Sequence, residues 1–170
     1  MKKLLVLLCA LMLLPVFAAH AQTEFTGVCG GVPVMTLQYD ESAFSLDTGS
    51  YLSSSYGGHT WLGMLYNGGD TVEISADLYP GLAAGSSLQQ LADYLSTALA
   101  GEQCAYLGQY TAPSGAAFVL FSLNGSVGQS YYAALMSQGY VLHFEIYNLR
   151  GGAAPGALDT LKSLLNGVRL

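Results

Sequence analysis

The chain has 170 residues, 52% of them hydrophobic and only 9% charged, with a formal net charge of −6. So few lysines and arginines argue against a nucleic-acid partner, which needs clustered cations on phosphate, and against an anionic membrane surface. With charge this far below the ordinary ~25%, Gly, Ser, Tyr and Gln are left to carry the polar surface.

Met1 to Ala21 reads as a secretory signal peptide of bacterial type. Lys2 and Lys3 form the charged start, Leu4 to Phe17 the apolar stretch, and Ala19-His20-Ala21 the small-x-small cleavage site. The apolar stretch is shorter than the ~20 residues of a membrane span, and the bulky Leu8 before Cys9 argues against lipidation. Residues 22–170 are then expected as a single secreted α+β domain with no membrane span. Without Lys2 and Lys3, three basic residues (Arg150, Lys162, Arg169) face eleven acidic ones, a net charge of −8. Two cysteines remain, Cys29 and Cys104. In an exported chain an even count points to a disulfide between them, worth roughly 4 kcal/mol in the chain-entropy account. The alternative is two free thiols. Neither has a Cys or His at ligand spacing, so no metal site is expected there.

Thr23 to Gly31 reads as a polar lead-in. Val32–Gln38 is a first strand, with Pro33 suited to a strand start or an edge, and Ala43–Leu46 is a short second one. Thr48–Gly58, biased to Gly, Ser and Tyr, lacks periodicity and reads as a loop. His59–Tyr66 and Thr71–Leu78 flank the turn residues Asn67 to Asp70. In the second of these, Val72, Ile74 and Ala76 alternate with Glu73, Ser75 and Asp77. Ser87–Ala100 is a helix: Ser87 and Gln90 match a capping box, and Leu88, Leu91, Ala92, Leu95, Ala98 and Leu99 form one stripe, with Gly101 as the terminating residue. Ala105–Thr111 is extended. Ala117–Leu123, Tyr131–Met136 and Tyr140–Tyr147 form an antiparallel meander, with Asn124-Gly125 and Gln138-Gly139 in its connections. A Gly/Ala/Pro linker over Arg150–Gly156 leads to a second helix, Ala157–Asn166, with Leu158, Leu161, Leu164 and Leu165 on one face. Val168 and Leu170 are expected to pack back on the sheet.

Strands, a helix, more strands and a closing helix imply an antiparallel sheet covered by helices. The expectation is a sheet of about six to seven strands packed by two main helices, in the order β-β-β-β-α-β-β-β-β-α. Three passages carry a family resemblance: Leu37-Gln38-Tyr39-Asp40 with Phe44-Ser45-Leu46, the amphipathic helix Ser87–Ala100, and the closing Ala157-Leu158-Asp159-Thr160-Leu161-Lys162-Ser163-Leu164. In this the chain resembles the PsbP-like superfamily, which includes the photosystem II extrinsic protein and many small exported bacterial proteins. The resemblance implies an accessory or binding domain and brings no catalytic motif to this sequence.

No nucleophile elbow, P-loop, dinucleotide fingerprint, HExxH or EF-hand loop occurs. His59 and His143 are the histidines beyond residue 21. Alternation places Val141, His143, Glu145 and Tyr147 on one strand face. That face is either a polar row for binding or acid–base work, or the ordinary solvent side of a half-buried strand. His59 and Trp61 share a face of their own strand, and Trp61 is either a stacking platform or a core residue. The candidate ligand-binding residues are therefore His59, Trp61, His143, Glu145 and Tyr147. Asp70, Glu73 and Asp77 offer oxygen donors, but in plain alternation rather than a cation-binding loop, so neither a metal nor a cofactor is expected. The leading expectation is a non-catalytic binding or accessory domain at the bacterial cell envelope, with a protein or small-molecule partner. The competing ones are a small secreted hydrolase using His143 or His59 and a carrier of a small apolar ligand.

Overall fold

The structure is a computed structural model and describes residues 22–49, 55–56, 58–79, 81–82, 85–125, 128–148 and 150–170. The expected signal peptide over Met1 to Ala21 lies outside the described residues, as does most of the expected loop at Thr48–Gly58. The described chain runs β1 (Gln22–Cys29), β2 (Val32–Asp40), β3 (Ser45–Asp47), β4 (Ser55–Tyr56), β5 (His59–Asn67), β6 (Asp70–Asp77), α1 (Leu88–Ala98), β7 (Ala105–Thr111), β8 (Ala117–Gly125), β9 (Gly128–Ser137), β10 (Tyr140–Tyr147), α2 (Ala157–Leu165) and β11 (Val168–Arg169). It is an α+β structure, and every strand pairing in it is antiparallel.

There are two sheets where one was expected. The main sheet has the order β3-β5-β6-β10-β9-β8-β7, with β4 beside β5, and a smaller sheet has the order β1-β2-β11. The supposed lead-in is β1, paired with β2 from Gln22↔Asp40 to Cys29↔Val32. Pro33 sits in β2 beyond the reach of β11, which pairs only with Thr36 and Leu37, so its missing N–H costs no ladder bond there.

The main sheet separates two apolar layers. On one face β10 presents Leu142, Phe144 and Ile146. These pack with Leu37 and Val34 of the small sheet and with Leu161, Leu164 and Leu165 of α2. On the other face Val119, Phe121, Ala134 and Val141 pack against Leu91, Ala92 and Leu95 of α1. Val168 joins the first core while Leu170 is left exposed.

Local chemistry explains the ends. At α1 the Ser87 hydroxyl accepts from the Gln90 N–H at 3.2 Å, and the Gln90 side chain accepts from the Ser87 N–H at 2.7 Å, completing the capping box. The other end differs from expectation. Gly101 is not the terminator: a 3₁₀ turn spans Ala100–Glu102, and Gln103 takes the left-handed conformation at φ 44. Between β9 and β10, Gln138 (φ 51) and Gly139 (φ 84) form a two-residue turn with both φ positive, which matches the twist of a hairpin. Gly167 carries a different constraint. The chain passes so close to β2 that a side chain there would collide with the Gln38 carbonyl oxygen, while the Gln38 N–H donates to the Gly167 carbonyl at 2.9 Å.

The expected Cys29–Cys104 disulfide is absent, and both residues are free. Cys29 belongs to the core between the two sheets, and Cys104 packs against the core under α1, on the opposite face of the main sheet. Packed layers stand ~10 Å apart, beyond the 4.4–6.8 Å Cα separation typical of a disulfide, so pairing them requires taking the fold apart.

Two measurements check these assignments. Gly167→Ala should lower the melting temperature well beyond Ser87→Ala: the first forces a backbone collision costing ~1–3 kcal/mol, the second removes a cap worth ~1 kcal/mol, and a chain of this size loses about 2–4 °C per kcal/mol. A smaller effect for Gly167→Ala would contradict the docking of β11. A chain beginning at Gln22 should titrate two thiols when unfolded without reductant, and its mass should not change on reduction.

Candidate functional site

The polar face of β10 does not lie open on its own. Register places Ser75 beside His143, Glu73 beside Glu145 and Thr71 beside Tyr147. On the next strand His59 lies beside Asp77, Trp61 beside Ser75, Met64 beside Glu73 and Tyr66 beside Thr71. The pairing of β5 slips between Trp61 and Gly63, leaving Leu62 as an inserted residue. This bulge turns Leu62 toward the first core and lets His59 and Trp61, before it, share a face with Met64 and Tyr66, after it. His59, Trp61, His143, Glu145 and Tyr147 are thus gathered on one face of β5, β6 and β10. The apolar part of that face lies under α1, against β8 and β9.

Asp77 organises one end. Its Oδ1 lies 2.6 Å from Nδ1 of His59 and its Oδ2 lies 2.8 Å from Nε2 of His143. Burial works against ionisation of Asp77, but the bonding and charge of His143, with the charge of His59, outweigh it and hold the carboxyl below its ordinary value. His143 is 4% exposed. Its Nε2 is within ion-pair reach of Asp77, and among the described residues neither ring nitrogen has a hydrogen-bond partner of good geometry. Burial holds its imidazole below the ordinary value, and the pull of Asp77 in the other direction does not reverse this. The rings of Tyr79 and Tyr132 stand 5.8 Å and 5.1 Å from it. This strand face is therefore neither a solvent side nor a plain polar row at His143, but a titratable group enclosed by aromatic rings. His59 keeps part of its surface in solvent and meets Trp61 edge-on at 4.3 Å.

Glu73 organises the other end. The Trp61 indole N–H donates to its Oε1 at 2.7 Å, and the Tyr147 hydroxyl approaches its Oε2 at 3.4 Å. Trp61 is half-buried rather than part of the core. Burial, and then the negative charge of Glu73 and Glu145, push the Tyr147 hydroxyl up to about 12. The Ser130 hydroxyl donates to Glu145 at 2.7 Å. Burial raises the Glu145 carboxyl above its ordinary value against that bond, with further push from Glu73 and Glu102.

Asp77 as a clamp, Glu73 as an anchor for Trp61, and Ser130 were not singled out in these roles from the sequence. The alternation of Thr71–Leu78 already put Glu73, Ser75 and Asp77 on one side. What it lacked was the pairing of that strand with Tyr140–Tyr147, which is a long-range register. Among the described residues no group of three or more His, Cys, Asp or Glu has metal-holding geometry. Between α1 and the sheet, Leu91, Leu95, Val119, Phe121 and Ala134 are all 0% exposed, and a small open pocket lies at the start of α1, lined by Leu88, Leu91, Ala117, Leu135 and Met136. Among the described residues, no helix is long and apolar enough to cross a membrane.

The sequence matches no family model and no curated protein.

The titration of His143 has a definite sign. A histidine of the unfolded chain gains its proton near ~6.5, while His143 in the fold resists protonation. The unfolded state therefore binds more protons below that pH, and stability falls as pH drops through it. The melting temperature should decline between pH 7.5 and 5.5, and His143→Gln should flatten the decline. An unchanged slope in the variant would place the effect elsewhere.

Proposed function

We propose that this chain is an exported, PsbP-like binding domain that recognises a small ligand or an extended segment of a partner on the open end of its main sheet, without turning it over. The observation that carries this reading is the convergence on β5, β6 and β10 of His59, Trp61, His143, Glu145 and Tyr147 with Asp77 and Glu73. Partly exposed aromatic rings and anchored hydrogen-bonding groups on a rigid sheet suit recognition, because the rings bring contact area at little entropic cost. The apolar leader and the net charge of −8 over residues 22–170 support export without nucleic-acid or anionic-membrane binding. The element order supports the PsbP-like reading.

A second reading has one specific observation behind it. With Nδ1 of His59 held at 2.6 Å by Asp77, the other ring nitrogen is left free to act as a base, the arrangement by which a carboxylate orients a catalytic histidine.

Trp61 is the only tryptophan, so its emission reports on this face directly. The binding reading expects a saturable change in Trp61 emission with at least one class from a panel of sugars, amino acids, short peptides and polyamines. It expects no turnover of ester, phosphate or glycoside substrates. Turnover that His59→Ala abolishes at an unchanged melting temperature would replace it with the hydrolase reading.

A further inference from the structure

Asparagine followed by glycine occurs three times, at Asn67-Gly68, Asn124-Gly125 and Asn166-Gly167. The pair is chemically unstable: asparagine is among the thermolabile residues, and glycine has no Cβ to hinder attack of its nitrogen on the side chain before it. The fold treats the three pairs differently. The Asn124 amide donates to Gln103 Oε1 at 3.3 Å, and Gly125 is held in the ladder opposite Gly128. The Asn166 side chain accepts from the Tyr110 hydroxyl at 2.6 Å, and the Gly167 N–H donates to the Leu164 carbonyl at 3.0 Å. Gly167 is also packed against the Gln38 carbonyl, with no room to swing. In both pairs the groups that must meet are tied to other partners.

Asn67-Gly68 has no such restraint. Asn67 ends β5 and pairs through its backbone with Asp70, and among the described residues its side chain has no hydrogen-bond partner. Gly68 lies in the turn that follows, outside the β5–β6 ladder. It is exposed, sits at φ 63, and has nothing within 4 Å of where a Cβ would stand. We propose that Asn67 is a spontaneous modification site selected by the fold, deamidating through a cyclic imide closed by Gly68. The Gly68 nitrogen loses its proton and bonds to the Asn67 side-chain carbonyl carbon, the bond from that carbon to the amide nitrogen breaks, and ammonia leaves. Water then opens the ring at either carbonyl, giving aspartate or isoaspartate. Neither step needs an oxidant or a reductant.

The product acts on its neighbours. A carboxylate at position 67 faces Asp70 with ~5 Å between Cβ atoms, where like charges repel. Asp70 Oδ1 accepts from the Ala154 N–H at 3.2 Å and from the Asn148 side chain at 3.5 Å, so it ties the β5–β6 turn to the linker that leads into α2. Isoaspartate also lengthens the main chain by one carbon beside a tight hairpin turn. Deamidation thus loosens the tie between this turn and the linker. The inference is independent of the recognition reading.

The test incubates the purified chain in mildly alkaline buffer and follows each Asn-Gly pair by peptide mass mapping, with isoaspartate counted by enzymatic methylation. Asn67 is expected to convert about tenfold faster than Asn124 or Asn166, since each of those must first break bonds that Asn67 lacks. In denaturant the lead should vanish, because all three pairs then share the same freedom. Equal or faster conversion of Asn124 or Asn166 in the folded chain, or a lead that persists undiminished in denaturant, overturns the proposal. So does an Asn67 that stays intact in the fold while the unfolded chain converts. Two variants test the consequence. Asn67→Asp should lower the melting temperature by a few degrees at low salt and by less at high salt. Asn67→Ser adds no charge, so it should stop the conversion at this turn and leave the melting temperature close to that of the parent. No loss in Asn67→Asp, or an equal loss in both variants, overturns the coupling to Asp70.

Discussion

The register between β6 and β10 is the constraint on which the rest of the molecule depends. β10 is enclosed by β6 on one side and β9 on the other, and Leu142, Phe144 and Ile146 are each 0% exposed in the layer shared with the small sheet and α2. Burying each of them contributes ~1.5–3 kcal/mol. Because side chains alternate with a period of two, a slip of one residue would drive His143 and Glu145 into that core. The apolar face thus dictates where the polar face goes. Glu145 meets Glu73, and His143 comes within reach of Asp77, because the opposite side of the same two strands admits no other pairing.

That imposed arrangement has a cost, and the structure limits it unevenly. At the His143 end the cost is met in part: Asp77 lies within ion-pair reach of both imidazoles, while burial works against the charged form of His143. At the Glu145 end the compensation is thin, since hydroxyl and indole donors soften a negative charge without cancelling it. Tyr79, Tyr94 and Tyr132 mark the border between the polar end and the layer beneath α1, with Tyr79 and Tyr94 5.1 Å apart across it. The face is therefore two materials on one sheet: a closed apolar half that contributes to stability, and an acidic, aromatic half that does not.

What could be read in advance follows the range of the interaction. The capping box at Ser87, the stripe of α2 and the alternation in Thr71–Leu78 and Tyr140–Tyr147 are local patterns, and each marks an element observed in the fold. The second sheet is not local. β1 looks like a polar lead-in because only one side of it packs, and its partner β2 is in turn closed by β11 from the far end of the chain. The cysteines fail for the same reason: parity says that two thiols can pair, but only topology says that a sheet stands between them. Alternation put His143 on the correct face without saying that tyrosines would close over it.

Trp61 shows how local and long-range causes combine at the site. A buried indole must place its N–H on an acceptor. The indole N–H donates to Glu73 of β6, one pleat away on the polar face. Strict alternation along β5 would carry the residues after Trp61 out of step with that face, and the Leu62 bulge restores them. The only tryptophan therefore sits half-buried, tied to the carboxylate that faces Glu145, because the bulge and the β6–β10 register act together. The ring is then tied to the edge of the region with the least internal neutralisation.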